Sequence, residues 1–294
     1  MINSLNAKST ITPRYKKKKG FRNTFDDTIR AFSPDNFKRI LGKHNSQFRR
    51  FETNDSKDLI LYLLQTIHEE LNYFGDNPYV NIRQPNQYDR ALTFNFFIQT
   101  YNMHNFSIIS SIFYGTYENI TTCNICKKML YNFQKFEFIS FDLYGYHKKN
   151  FKIEDGFSDN EKPQLLTRDN HFYCGTCKKL CDAVIACKII QPPNKLLINL
   201  DYGKNKKYQP NKIDFGETID ITKFVNFDFG VPIKYNIIGV CTHLGHSGSY
   251  GHYIAYCRHR ETGEWYKFND SSYSKCNASD IYNGSPYLLL YEKI

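Results

Sequence analysis

Apolar positions along the chain change their period near residue 91. Before it the clearest pattern is helical: in N-D-S-K-D-L-I-L-Y-L-L-Q-T-I-H-E-E-L (54–71), Leu59, Leu63, Ile67 and Leu71 form one stripe. Ile60 and Leu64 widen the stripe, and Asn54 or Asp55 can cap it, so the segment predicts a core-facing helix. Upstream, Ser33-Pro34 has the form of a helix start, and Phe37, Ile40 and Leu41 follow at helical spacing until Gly42. Beyond residue 91, runs rich in Phe, Tyr and Ile predict strands at 93–98, 136–143, 183–190, 195–201, 235–243, 252–258, 265–268 and 287–291. Polar stretches at 147–171 and 202–216 read as loops or insertions. Helices first and strands afterwards, without alternating βα units, predict an α+β fold with a largely antiparallel sheet.

Composition agrees with a packed domain. The chain has 294 residues, 41% of them hydrophobic, and its 23 Tyr and 24 Phe against one Trp make aromatic packing prominent. Charge changes the picture only at one end. The net charge is +10, and residues 1–50 hold 13 Lys or Arg against 3 Asp, so the whole excess is N-terminal. Residues 1–20 are basic and aperiodic, with Pro13 discouraging a helix, and read as a disordered tail. The lysine run at 16–19 reads as solvated tail, with a nuclear signal or nucleic-acid patch as the alternative. Order is expected from about Phe21. No apolar segment is long enough to span a bilayer and no secretory h-region opens the chain, which points to the cytoplasm or nucleus. In such a reducing compartment the nine cysteines read as metal ligands, nucleophiles or buried thiols rather than disulfides.

Four of them carry a pattern. Cys123-Asn-Ile-Cys126 and Cys174-Gly-Thr-Cys177 are two C-x-x-C pairs separated by 47 residues. Each turn can bring two thiolates to about 2.3 Å from one Zn²⁺, and two turns complete a closed tetrahedron with no place for water, which is a structural site. Cys181 is close enough in sequence to replace Cys177. Four ordinary cysteines or a redox pair are the competing readings, and Cys241-Thr-His243-Leu-Gly-His246, with His252 nearby, is a weaker metal candidate.

G-S-Y-G-H-Y-I-A-Y-C-R-H-R-E-T-G-E-W-Y-K-F-N-D (248–270) carries a second chemistry. A catalytic imidazole needs a partner on its far nitrogen to fix its tautomer, and Asn269 or Asp270 qualifies for His252. The strands 252–258 and 265–268, joined by R-E-T-G-E, would place His252 across from Asn269. Glycines at 245, 248 and 251 let the preceding loop approach an extended peptide.

The stretch H-L-G-H-S-G-S-Y-G-H-Y-I-A-Y-C-R, with W-Y-K-F-N-D and Y-L-L-L-Y after it, closely resembles the histidine box of ubiquitin-specific proteases. S-P-D-N-F through H-E-E-L resembles that family's helical segment, with Asp55 and Asp58 at its acidic positions; F-Y-G-T with C-N-I-C, and Y-C-G-T-C, resemble its zinc-bearing fingers; P-P-N-K-L-L-I-N-L resembles the strand that follows. The resemblance runs in order over about 30–294. It implies a papain-like thumb, palm and zinc-tipped fingers that hold ubiquitin, with boundaries at 21–90 for the thumb, 91–190 for mainly fingers and 191–294 for the palm. It implies thiol-dependent hydrolysis after the ubiquitin C-terminus, with His252 as base, Asn269 orienting it and Asp270 an auxiliary polar group near the oxyanion. It also implies zinc on Cys123, Cys126, Cys174 and Cys177, ubiquitin or ubiquitinated proteins as partners, and no membrane or nucleic acid.

Two features depart from that family. Its nucleophilic cysteine stands upstream of everything quoted and opens a helix, but no cysteine precedes Cys123. Met1-Ile2-Asn3-Ser4-Leu5 resembles the residues just after that nucleophile, as though the chain began one position past it. Cys181, Cys187, Cys241, Cys257 and Cys276 are not expected to replace it. The expectation is therefore a domain of this family that lacks its nucleophile, either as a fragment or as an inactive ubiquitin-binding module. Leu200-Asp201-Tyr202-Gly203 replaces the usual Leu-x-Arg-Phe, and Thr53-Asn54-Asp55-Ser56 replaces Gln-Gln-Asp-Ala.

Overall fold

Asp55 opens the best-defined helix: its Oδ1 accepts from the Lys57 backbone N–H at 2.8 Å, satisfying one of the donors a helix start leaves unpaired. The computed structural model describes residues 34–50, 54–74, 84–144, 146, 150–203, 212–247 and 250–294, except the side chains at 246, 247 and 250. The basic tail, the Met1–Leu5 stretch, Thr53 and Gly248 lie outside the described residues.

Among the described residues four α-helices come first: α1 (Asp35–His44), α2 (Ser56–Glu70), α3 (Arg90–Asn102) and α4 (Ile108–Phe113). Of the α2 stripe, only Leu64 is buried, while Ile67 and Leu71 are exposed. That corrects the expectation of a core stripe, because α2 packs on the short α4 and meets the larger sheet at its start. The link includes the buried His68, whose Nδ1 lies 2.6 Å from Ser107 Oγ, the N-cap of α4.

Residues 93–98, expected as a strand, belong to α3. Their Phe and Thr content suits a strand, but Asp89 caps a helix there, accepting from Leu92 N–H at 3.0 Å. Helical spacing then sets Phe94 and Phe97 against Phe133 on the neighbouring strand, with ring centroids 5.1 and 6.1 Å apart. Tertiary packing overrides propensity.

The strands follow as β1 (Gly115–Cys123), β2 (Met129–Phe136), β3 (Ile139–Asp142), β4 (Asn150–Lys152), β5 (Gln164–Leu166), β6 (Phe172–Cys174), β7 (Lys179–Cys181) and β8 (Ala183–Gln191). After these come β9 (Lys195–Asp201), β10 (Lys212–Asp214), β11 (Thr218–Asp220), β12 (Lys234–Ser247), β13 (Tyr250–Arg258), β14 (Trp265–Asn269), β15 (Ser272–Cys276) and β16 (Ser285–Lys293). The helix α5 (Ile153–Asn160) and the short β4 and β5 lie within 147–171, which is therefore more structured than a loop.

The larger sheet runs β15-β14-β13-β12-β16-β9-β3, with β11 beside β12. All these pairs are antiparallel except β3 with β9. Its apolar face, including Leu196, Ile198, Ile237, Ile254, Tyr256, Leu289 and Tyr291, is the main core. α5 lies close on this core: a Cβ at Gly156 would stand 2.5 Å from the Phe141 ring, so only glycine permits the approach. Two buried tyrosine hydroxyls of this core are satisfied, Tyr291 donating to Phe215 O and Tyr202 to Pro286 O at 2.7 Å.

The second sheet, β2-β1-β8-β5, holds the remaining chemistry at its end. β1 finishes at Cys123, which pairs with Ala183 at the start of β8, and the hairpin β6-β7 lies just before. Halfway along β1 the carboxylate of Glu118 is fully buried. It accepts from Arg90 Nη2 at 2.9 Å and from Asn226 Nδ2 at 2.7 Å, with Arg90 Nε as a further donor. The start of α3, β1 and the segment before β12 meet at this carboxylate.

Candidate functional site

The β13–β14 register pairs Ala255 with Phe268. Continued one step, it sets Asn269 opposite Ile254, so Asn269 is a diagonal neighbour of His252 on the same face rather than directly across from it. The geometry is close nonetheless: His252 Nε2 stands 2.5 Å from Asn269 Oδ1. With the amide oxygen facing the ring, Nε2 carries the proton and Nδ1 keeps its lone pair. Asp270 Oδ2 is 3.7 Å from the same Nε2, and its side chain is 81% exposed. Asp270 has φ +49° in the two-residue turn between Asn269 and Ser272, a conformation that Asp tolerates better than most residues.

A glycine sets the rim beside the imidazole. A Cβ at Gly251 would come 2.0 Å from His243 Nε2, so any side chain there would push the His243 ring out of its place beside Tyr253. His243 therefore packs as a buried ring. Cys241, two residues before it, has its Sγ 3.7 Å from Ser56 Oγ at the start of α2. Of the Cys241, His243 and His246 candidate with His252 nearby, the His246 side chain lies outside the described residues; among the described residues the one grouping that could hold an ion is the cysteine tetrad.

The tetrad's four sulfurs lie within 4.8 Å of one another. Cys123 and Cys177 are 4.0 Å apart and Cys126 and Cys174 3.6 Å, bracketing the roughly 3.8 Å edge expected when four thiolates surround one tetrahedral ion. Each C-x-x-C turn folds alike. Lys127 N–H donates to Cys123 O at 3.0 Å and Lys178 N–H to Cys174 O at 2.7 Å, and both lysines are left-handed, with φ +59° and +54°. Backbone N–H groups aim at the sulfurs: Cys177 N–H is 3.4 Å from Cys174 Sγ. Donors of this kind, from Cys126 first and then Ile125, hold the Cys123 thiol down at about 6 against the effect of burial. Four convergent sulfurs with preset backbone donors can hold a metal ion.

The left-handed lysines give a testable expectation. Relieving a non-glycine residue of positive φ is worth about 1 kcal/mol, partly offset by the extra chain entropy of glycine. Lys178→Gly should thus raise the melting temperature of the metal-loaded chain slightly in calorimetry, whereas Lys178→Val should lower it.

The other cysteines stand apart from His252. His252, Ile254 and Tyr256 share one face of β13, while Cys257 lies on the other, about 16 Å along the strand. Cys241 pairs with Ala255 and so also faces away. Cys276 pairs with Trp265, which pairs with Arg258 at the far end of β13, and Cys187 belongs to the second sheet. Burial pushes the thiols of Cys241, Cys257 and Cys276 up, and that of Cys187 to about 11.

One contact near the site had no local signal in the sequence. Tyr287 OH donates to Asp55 Oδ2 at 2.5 Å, and its ring lies 5.6 Å from that of Tyr253, fastening the start of α2 to β16 and β13. Burial first, and the Asp55 carboxylate second, push the Tyr287 hydroxyl far above its ordinary range. The two residues are 232 positions apart, so only the sheet brings them together.

A helical segment, an antiparallel sheet with a His–Asn pair at its rim, and a second sheet ending in four convergent thiols make up a papain-like α+β architecture. The family described as "Ubiquitin carboxyl-terminal hydrolase" matches residues 3–291, and the chain belongs to it. It is 27% identical over 301 residues to "Ubiquitin carboxyl-terminal hydrolase 4" of Saccharomyces cerevisiae (strain YJM789), a match covering 90% of this chain and 31% of that protein. It is 24% identical over 248 residues to "Ubiquitin carboxyl-terminal hydrolase 17-like protein B" of Mus musculus, covering 84% and 47%. Among solved structures it is similar in fold to the "SAGA Ubp8/Sgf11/Sus1/Sgf73 DUB module bound to ubiquitin aldehyde", with TM-score 0.66 and 21% identity, over 87% of this chain and 53% of that one. The chain thus spans about a third of the length of the yeast relative. Among the described residues, no helix is long and apolar enough to cross a membrane.

Proposed function

We propose that this chain is a ubiquitin-binding domain of the ubiquitin-specific protease type, built for thiol-dependent hydrolysis of the bond after the ubiquitin C-terminus. The observation that carries the reading is the His252 Nε2 to Asn269 Oδ1 contact of 2.5 Å. Asn269 orients the imidazole and keeps the proton on Nε2, which leaves Nδ1 to take a proton from a thiol and return it to the leaving amine. Asp270, solvated and 3.7 Å away, supports the imidazolium that forms between those steps. In this reading 21–90 is the thumb, 91–190 mainly the fingers and 191–294 the palm, and zinc is the ion held by Cys123, Cys126, Cys174 and Cys177. Zinc suits four thiolates in a closed tetrahedron and acts there as a structural ion, which keeps it out of the chemistry.

None of the nine cysteines in this chain is placed to give its proton to Nδ1, and partial burial pushes the thiols of Cys187, Cys241 and Cys276 up. In this reading the chain binds ubiquitin without cleaving it. Titration of the full chain into isotope-labelled ubiquitin should give saturable chemical-shift changes, with no labelling by a ubiquitin vinyl-sulfone probe and no hydrolysis of ubiquitin-rhodamine. Lack of any shift change would overturn the binding role, and probe labelling of one of the nine cysteines would overturn the assignment of the missing nucleophile.

A further inference from the structure

Five cysteines, not four, meet at the tip of the second sheet. Cys181 is 2% exposed and belongs to one cluster with Cys123 and Cys174, against which Cys126, Cys177 and Phe172 pack. Two registers put it there. In the β6–β7 hairpin Cys181 pairs with Phe172 and Cys174 with Lys179, so Cys174 and Cys181 share a face. Ala183 pairs with Cys123, and the Asn124 N–H donates to Asp182 O at 2.9 Å, which draws the end of β7 against the first C-x-x-C turn. The Cys181 side chain is thereby packed among the tetrad, buried with Cys123 and Cys174 and with Cys177 against that cluster, while its thiol donates to Lys179 O at 3.4 Å.

The four tetrad members are not equally enclosed. Cys123 and Cys174 are fully buried, whereas Cys126 and Cys177 are part-exposed, and Cys177 directly precedes the left-handed Lys178. A part-exposed ligand on a left-handed turn, with a buried thiol packed in the same cluster, is the arrangement of a replaceable ligand with a substitute close by. We propose that Cys181 is a fifth, exchangeable ligand of this metal site that takes the place of Cys177. In the exchange the metal–sulfur bond to Cys177 breaks and that sulfur takes up a proton, while Cys181 gives its proton to solvent and forms the new metal–sulfur bond. Coordination number, ligand charge and metal oxidation state are unchanged. The turn at 174–178 can then open, or Cys177 can be modified, without release of the ion. The proposal rests on the tetrad holding a metal and extends it to a residue outside the two C-x-x-C pairs.

Cobalt reports the ligand set directly. The full chain, Cys177→Ser, Cys181→Ser and the double variant Cys177→Ser/Cys181→Ser are each reconstituted with Co²⁺, and the thiolate charge-transfer band and affinity are read. Wild type, C181S and C177S should keep the intensity of four thiolates, and the double variant should lose about a quarter of it, one thiolate in four. Its affinity should fall by more than about a hundredfold, the upper loss that outer-shell partners alone produce. C177S matching the double variant in band and affinity would overturn the exchange, and a wild-type chain that takes up no Co²⁺ would overturn the metal reading itself. A second measurement needs no variant to fold. Limited iodoacetamide treatment of the metal-loaded wild-type chain, followed by peptide mass spectrometry, should place the first alkyl group within the five-cysteine cluster on Cys177 with the ion retained, the exposed Cys257 outside it being scored separately. Loss of the ion together with that first modification would overturn the proposal.

Discussion

Cys174→Ser should abolish stable metal binding and release the β6–β7 hairpin from the folded domain while leaving the larger sheet intact. The hairpin has only three residues in each strand, Phe172–Cys174 and Lys179–Cys181, and an isolated two-stranded unit of that size is marginal at best in water. Its side chains offer little apolar burial, for Tyr173 and Leu180 are exposed and the buried cluster beneath it consists of cysteines. On the proposed reading it is held by four sulfurs on one ion, and binding of that kind contributes on the order of 10 kcal/mol, most of it as folding free energy. Cys174 is the fully buried ligand of the second turn, and its sulfur lies 3.6 Å from that of Cys126, so serine there removes the thiolate facing Cys126 and not the one at Cys177 that Cys181 is proposed to replace. Hydrogen exchange followed by mass spectrometry separates the outcomes: amides of 172–181 should lose protection in C174S, or on chelation of the wild type, while those of β9 and β16 keep theirs. Unchanged protection at 172–181 after the metal is removed would show that the hairpin is held by packing instead.

How far the sequence could be read depended on whether the signal was local. The cysteine spacing and the His252–Asn269 spacing were legible because each pair sits on one turn or one pair of neighbouring strands, where short-range geometry sets the distance. α2 was legible in its period and its cap, yet the burial of its stripe was not, since that depends on which element lies opposite. α3 was misread because Phe, Thr and Ile suit either state, and the decision lies with Asp89 at its start and Phe133 across from it. β1 and β2 went unnoticed for a related reason: Thr116, Glu118 and Thr121 of β1 are polar and buried, which hides the apolar alternation that marks a strand. Their burial is made possible by partners far away in sequence, Arg90 and Asn226 for Glu118 and Lys135 and Gln191 for Thr116. The Tyr287–Asp55 bond belongs to the same class of long-range contact.

Glu118 is where such a partner matters most, and Arg90→Ala should cost about 3–5 kcal/mol of stability, the range for breaking a buried ion pair from one side. The asymmetry of the pair sets the order of the variants. Glu118 has no exposed surface, whereas the Arg90 side chain is 39% exposed and can be rehydrated when its partner is lost. Removing Arg90 therefore strands a charge that cannot reach water, and removing Glu118 does not. Glu118→Ala should accordingly fall toward the lower end of the range, with Asn226 Nδ2 left without its 2.7 Å acceptor as the main penalty. The Arg90 guanidinium, which the Glu118 hydrogen bond first of all holds above its ordinary range against the opposing effect of burial, keeps a second tie to Asn226 O at 2.8 Å. Replacing both residues by Met should recover much of the loss, since no buried charge then remains, and a double-mutant cycle in urea unfolding measures the coupling. A cost below about 1 kcal/mol for Arg90→Ala would place the pair with ordinary surface ion pairs. The effect should also be felt at a distance. Glu118 lies five residues before Cys123 on β1, about 17 Å along the strand, and it is the point where α3 and the segment carrying Asn226 are fastened to the sheet that bears the cysteine tip. Arg90→Ala should therefore loosen β1 and β8 in hydrogen exchange before it touches β13 and β14, where His252 and Asn269 are held by a different sheet.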